Sequence, residues 1–191
     1  MVGRSMSPSI KTIKSVCDFL LGGRHETAKE VLQSGYPFTY VNPDKRSYTP
    51  KESMAVFLRD GFIDRYSGTH LVFPGTLRII HRLLPLEFPF HTNWKMSETH
   101  IAFWELFPTI DHVVPLARDG KDVFENQVST SQLRNSAKSN WFLEELGWAL
   151  LPAGNISDWD GLTSWFIEYV NNHPEHHSDS YISKWYKAAQ P

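Results

Sequence analysis

Apolar positions recur at helical spacing from the start of the chain. Ile10, Ile13, Val16-Cys17 and Leu20-Leu21 mark one face of a helix over Ser9–Leu21, which Gly22-Gly23 stops. Thr27–Gln33 predicts a second short helix, ended at Gly35. A helix pair around Gly-Gly fits a packing hairpin or a DNA-reading helix-turn-helix. No residue fixes a base contact, which favours the hairpin. Pro37–Pro50 reads as a loop or short hairpin, after which Thr49 as cap and Pro50 in the first turn open a helix to about Asp60. Strand character follows around Leu71-Val72-Phe73. Thr76–Leu84 is an apolar-basic helix ended by Pro85, with Arg78 and Arg82 four apart on one face, a phosphate track or a solvated face.

The middle of the chain changes period. Ile110 and Val113-Val114, closed by Pro115, predict a short strand that the apolar Ala102–Leu106 leads into. Arg118-Asp119-Gly120 is a turn signal, because Asp-Gly tolerates left-handed backbone. Asn126 opens a second short extended segment at Gln127-Val128. Ser129 with Gln132 three positions on reads as a capping box that starts a helix at about Thr130, running to about Asn140. Asn135 and Lys138 share a face of that helix. Beyond it, Trp141–Trp148 predicts an amphipathic helix broken near Gly147. Ser157 or Asp158 caps a helix carrying Leu162, Trp165-Phe166 and Tyr169-Val170, and Tyr181–Ala189 forms the last one. Aromatic stripes at this spacing belong to a core far more often than to a ligand surface.

Asp111-His112, Asn126 fourteen positions after His112, Asn135 nine later and Lys138 three after that form a spaced set. With Pro115 three residues past His112, it resembles the HNH (ββα-metal, His-Me finger) endonuclease motif, in the variant whose third signature residue is Asn. The segment Glu125–Asn140 is especially similar to the HNH domain of RNA-guided nucleases. The likeness is close over Ile110–Asn140 and loose back to Asp64. It implies an α+β chain with a ββα-metal nuclease core over 61–140, a helical region at 1–60 and a C-terminal helical brace at 141–191. It also implies hydrolysis of phosphodiester bonds, most simply in DNA. Asp111 and Asn135 would hold one Mg2+, or Mn2+ or another divalent cation, since magnesium takes only one or two protein oxygens. His112 would be the general base, because imidazole exchanges protons near neutrality. Asn126 would brace the loop or orient His112, and Lys138 would meet the phosphate. Arg134, Arg118, Arg78 and Arg82 are the candidate DNA contacts. Paired zinc-ligand cysteines are missing from the turn at Tyr66-Ser67-Gly68, so no structural zinc is expected.

One geometric constraint accompanies the motif. Adjacent strand residues point to opposite faces, so Asp111 and His112 can serve one site only at a strand end or where the strand is distorted. His91 with His100, and His173 with Glu175, His176 and His177, are weaker metal candidates. Their spacing or hydrophilic setting favours solvated loops.

Composition changes the picture in three places. Aromatics at 14% with seven Trp indicate a packed core. A single cysteine excludes an internal disulfide, which fits a cytoplasmic setting, as does an N-terminus without a signal-like apolar run. No apolar stretch approaches bilayer length. The net charge of −2 argues against indiscriminate nucleic-acid binding, but its distribution is uneven. Residues 1–60 hold nine Lys/Arg against six Asp/Glu, whereas 141–191 hold two against seven. The alternatives to a DNA endonuclease are a non-catalytic nucleic-acid-binding module of the same shape, or a ribonuclease or toxin. The sequence leaves the oligomeric state open, a homodimer being one option.

Overall fold

Ser7 accepts a hydrogen bond from the Ile10 amide and Pro8 occupies the first turn, so α1 begins where its cap dictates, spanning Pro8–Leu21. Gly22-Gly23 turns the chain, Gly23 taking φ 70°, into α2, His25–Gly35. The two helices cross closely, since a Cβ on Gly35 would come within 2.7 Å of Thr12 Oγ1. The computed structural model describes residues 5–38 and 47–190. The expected loop or hairpin at Pro37–Pro50 falls largely outside them. The chain divides into two compact units, Met1–Lys45 and Arg46–Pro191.

In the second unit, Thr49 and Glu52 form a reciprocal capping box that starts α3, Pro50–Arg59. Helix α4 spans Pro74–Leu83 and the four-residue α5 spans Ala102–Glu105. Strand β1, Pro108–His112, pairs antiparallel with β2, Gln127–Ser131, in a register that sets His112 opposite Gln127. Helix α6, Gln132–Lys138, follows without a loop. Helices α7, α8 and α9 span Leu143–Leu146, Thr163–Asn172 and Ser180–Ala189. Among the described residues the fold is helices around one two-stranded sheet, an α+β arrangement. No helix among them is long and apolar enough to cross a membrane.

The main core unites distant segments. Met54, Val56 and Phe57 from α3, Phe62, Leu71 and Phe73 from the following hairpin, Phe166 and Val170 from α8, and Ile182 and Trp185 from α9 are buried together. Trp185 stacks on Phe57 and meets Phe73 edge-on, arrangements that add to the burial of large apolar surface. Helix α3, grouped with the N-terminal region in the sequence, thus supplies core to the unit that holds the sheet.

A two-stranded sheet is marginal alone, and β2 has an outer edge to satisfy. Two buried carboxylates do so in place of a third strand. Asp60 accepts from the Ser129 amide at 2.7 Å and Asp64 from the Ser131 amide at 3.0 Å, while the Arg65 amide donates to the Ser129 carbonyl at 2.9 Å. Both carboxylates are essentially inaccessible to solvent. Asp60 is also ion-paired with Arg59 and Arg65, as a buried charge requires.

Several local expectations are corrected. Leu71, Val72 and Phe73 form no strand: their amides donate to Phe62, Leu106 and Gly161 respectively, three separate partners that cannot make a ladder. The cap of α6 is Ser131, whose hydroxyl accepts from the Arg134 amide, not Ser129. Ser129 and Thr130 are held in β2 by pairing with β1 and by Asp60 and Asp64. β1 stops at His112 because the Asn126 side chain takes over the backbone of Val114. The helix expected from Trp141 is only α7, ended by Gly147 in the left-handed region. Helix α8 starts at Thr163, and Asp160, not Ser157 or Asp158, accepts from its first amides.

Candidate active site

β1, β2 and α6 bring most of the spaced set together. Asp111 is buried, and its Oδ2 accepts from the Tyr66 hydroxyl at 2.6 Å and the Lys138 ammonium at 2.9 Å. Lys138 is wholly buried and also donates to the His112 carbonyl at 2.8 Å. Asn135, one turn earlier on α6, directs its Nδ2 to Thr109 Oγ1 at 3.0 Å and to the Ile110 carbonyl at 3.3 Å. The shared face of α6 therefore lies along residues 109–112. Tyr66, Val128 and Leu143 form a small apolar cluster beside it, with Val113 and Trp148 packed against it. Burial, and then the neighbouring Asp111 charge, push the Tyr66 phenol far above its ordinary range, so it stays protonated as a donor.

Asn126 fixes the loop after β1. Its Oδ1 accepts from the Val114 amide, and its Nδ2 donates to the carbonyls of Val114 and Lys121. The turn inside this loop has Asp119, not Gly120, in the left-handed region with φ 65°. Gly120 is needed for space: a Cβ there would lie 2.0 Å from the Val114 carbonyl oxygen.

His112 leaves the strand on the face opposite Asp111, as the pleat demands. Its Nε2 lies 2.7 Å from Asp122 Oδ1 and 3.3 Å from the Tyr48 hydroxyl. Its side chain is only 12% exposed. The strand ends at this residue.

The oxygens left over suit a hard cation. Tyr66 and Lys138 occupy one carboxylate oxygen of Asp111, while Asn135 spends its Nδ2 on β1. Asp111 Oδ1 and Asn135 Oδ1 accept no hydrogen bond among the described residues. Two such oxygens are what magnesium ordinarily takes from protein. Among the described residues no group of three or more His, Cys, Asp or Glu could hold a metal ion. The weaker candidates are engaged otherwise. His91 Nδ1 accepts from the Asn93 amide, and His100 accepts from the Ala102 amide while stacking on Phe88. His173 stacks on Tyr169, and His176 is buried rather than solvated.

Lys138, expected at the phosphate, is instead the buried counter-charge of Asp111. The arginines also have partners. Arg78 lies between the rings of Phe90 and Tyr181, and Arg82 pairs with Asp179 at 2.6 Å, so the α4 face expected to track phosphate is engaged with α9. Arg118 meets Glu145 and the Phe142 ring, and Arg134 lies over Trp148. Sequence reasoning missed Tyr48, Tyr66 and Asp122. A lone Asp four residues before Asn126 carries no signal until the loop is folded.

Residues 92–142 match the family model described as HNH endonuclease. Over that stretch the chain is similar to HNH endonucleases. The match takes in β1, β2, α6 and the Asn126 loop. It begins well after the Asp60–Tyr66 segment that clips the sheet. HNH endonucleases are nucleases, hence hydrolases acting on nucleic acid, and they typically employ a divalent metal. No curated protein and no solved structure matches the chain.

Proposed function

We propose that this HNH domain is a divalent-metal-dependent endonuclease that hydrolyses phosphodiester bonds in DNA. The observation that carries the reading is the convergence of Asn135 and Lys138 from one helix face onto the β1 backbone beside Asp111. Asp111 Oδ1 and Asn135 Oδ1 would hold one magnesium ion, which supplies Lewis-acid stabilisation of the phosphate and the departing oxygen. Lys138 and Tyr66 fix the Asp111 carboxylate by two hydrogen bonds, so that its second oxygen has one orientation. Asn126 holds the loop behind His112, and His112 takes the proton from the attacking water. Arg118, beside Glu145 and the Phe142 ring, and Arg134, over Trp148, would reach the DNA backbone only by leaving those partners.

A supercoiled-plasmid digest with a series of divalent metals tests this reading. Wild type is expected to cut with magnesium or manganese, and His112→Ala to cut about 10²–10⁴-fold more slowly, the usual share of a general base. Asp111→Ala and Asn135→Ala should lose the metal response. Full cleavage by His112→Ala would falsify the assignment of the base. A mobility shift without cutting at any metal concentration would mark a binding module, and RNA offered in parallel separates a ribonuclease.

A further inference from the structure

The hydrogen bonds around the His112 imidazole fix which of its nitrogens carries the proton. Asp122 Oδ1 sits at their centre. It is 2.7 Å from His112 Nε2, 2.9 Å from the Tyr48 hydroxyl and 2.9 Å from Gln127 Nε2. An ionised carboxylate only accepts, so Tyr48 directs its single hydroxyl proton to Asp122. The Tyr48 oxygen then has only lone pairs to offer, and Gln127 Nε2 donates to it at 3.2 Å. Both oxygens facing His112 Nε2 are therefore acceptors, and the ring can satisfy them only with a proton on Nε2. Its lone pair lies on Nδ1, which has no hydrogen-bond partner among the described residues.

We infer that Asp122, braced by Tyr48 and Gln127, is a positioning residue that locks His112 as the Nε2–H tautomer and presents Nδ1 to the water it deprotonates. The inference rests on the endonuclease reading for its catalytic half, while the tautomer stands on geometry alone. The partner on one imidazole nitrogen decides what the other can do. When Nδ1 takes the proton of water, the hydroxide bonds to phosphorus as the P–O bond to the departing strand end breaks, the leaving alkoxide takes a proton from solvent, and the new positive charge on the ring lies against Asp122. The cluster joins elements far apart in sequence: Tyr48 precedes α3, His112 ends β1, Gln127 begins β2 and Asp122 lies in the loop between the strands. The 12% exposure of the His112 side chain and 30% exposure of Asp122 leave the pair shielded but reachable.

The test is long-range proton–nitrogen NMR of the imidazole rings in the full chain. Spectra are taken at about pH 9, where a free imidazole is neutral, with His112 assigned by comparison with His112→Gln. A pyrrole-type Nε2 and a pyridine-type Nδ1 are expected. In Asp122→Ala the ring should show mixed tautomers, with turnover of plasmid lowered about 10- to 100-fold, part of the general-base share, and KM little changed. Asp122→Glu should recover a portion of both. Tyr48→Phe, which keeps the carboxylate, should retain the Nε2–H signature. A wild-type spectrum with the proton on Nδ1 overturns the inference without any variant having to fold. So does an Asp122→Ala protein with unchanged tautomer and turnover. A wild type that shows the Nε2–H signature yet cuts nothing under any metal sinks the nuclease reading while upholding the tautomer.

Discussion

His112 and Asp111 are neighbours in the chain but live in different environments. One is fixed by Asp122 and Tyr48, the other by Lys138 and Tyr66. Lys138 is the clearest case of a residue whose type was informative and whose expected contact was not. A lysine near a phosphate-cutting motif suggests a phosphate ligand, yet its ammonium is fully buried between Asp111 and the His112 carbonyl. Removing it would strand a buried carboxylate. Lys138→Met is therefore expected to lower stability by about 3–5 kcal/mol, the range for breaking a buried pair from one side. Urea denaturation of both proteins measures this. A loss below about 1 kcal/mol would show the pair to be solvated.

The sheet is held by β2's partners on both sides. β1 satisfies one edge, and Asp60 with Asp64 the other. These carboxylates lie four apart with Gly61, Phe62 and Ile63 between them. Acids embedded in apolar sequence are a sign of buried pairing that a strand-and-helix reading passes over. Asp60 is worth more than its amide contact, because Arg59 continues from it to the Phe124 and Gln127 carbonyls and Arg65 to the Leu151 carbonyl. Asp60→Ala should cost about 3–5 kcal/mol, since Arg59 and Arg65 lose their counter-charge and the Ser129 amide its acceptor. Amide hydrogen exchange should locate the loss at Ser129 and its neighbours. Protection at Ser129 equal to wild type would mean that another group closes this edge.

Across the second unit, the HNH stretch depends on helices that the family match does not include. α8 and α9, residues 163–189, bury Phe166, Val170, Ile182 and Trp185 against α3 and the hairpin that carries Asp60 and Asp64. Tyr181 opens a pH-dependent view of that packing. Burial raises its phenol from the ordinary value of 10.0 to about 12. A raised acid favours the fold while it is neutral in both states, and the advantage disappears as pH climbs through the folded value. Stability is thus expected to be flat below about pH 10 and to fall between about pH 10 and 12. Tyr181→Phe should reduce that fall, as chemical denaturation across the alkaline range would show. An identical alkaline slope in the variant would mean that Tyr181 titrates alike in the folded and unfolded chain.

The spacing of Asp111, His112, Asn126, Asn135 and Lys138 made the HNH likeness legible, because a motif of this kind is local and its elements follow one another directly. The caps were legible for the same reason where Ser, Thr, Pro and Gly act within one turn, as at Thr49 and Gly22. Ser131 in place of Ser129 shows the limit of that reasoning: the buried Asp60 and Asp64, 69 and 67 residues before the amides they accept from, keep β2 extended beyond the point where a helix could have begun. Which oxygen of Asp111 is taken, which nitrogen of His112 is protonated, and which arginines are spent on aromatic rings were decided only in three dimensions. Each depends on a partner supplied by another segment, and sequence spacing carries no information about contacts that only the folded core creates.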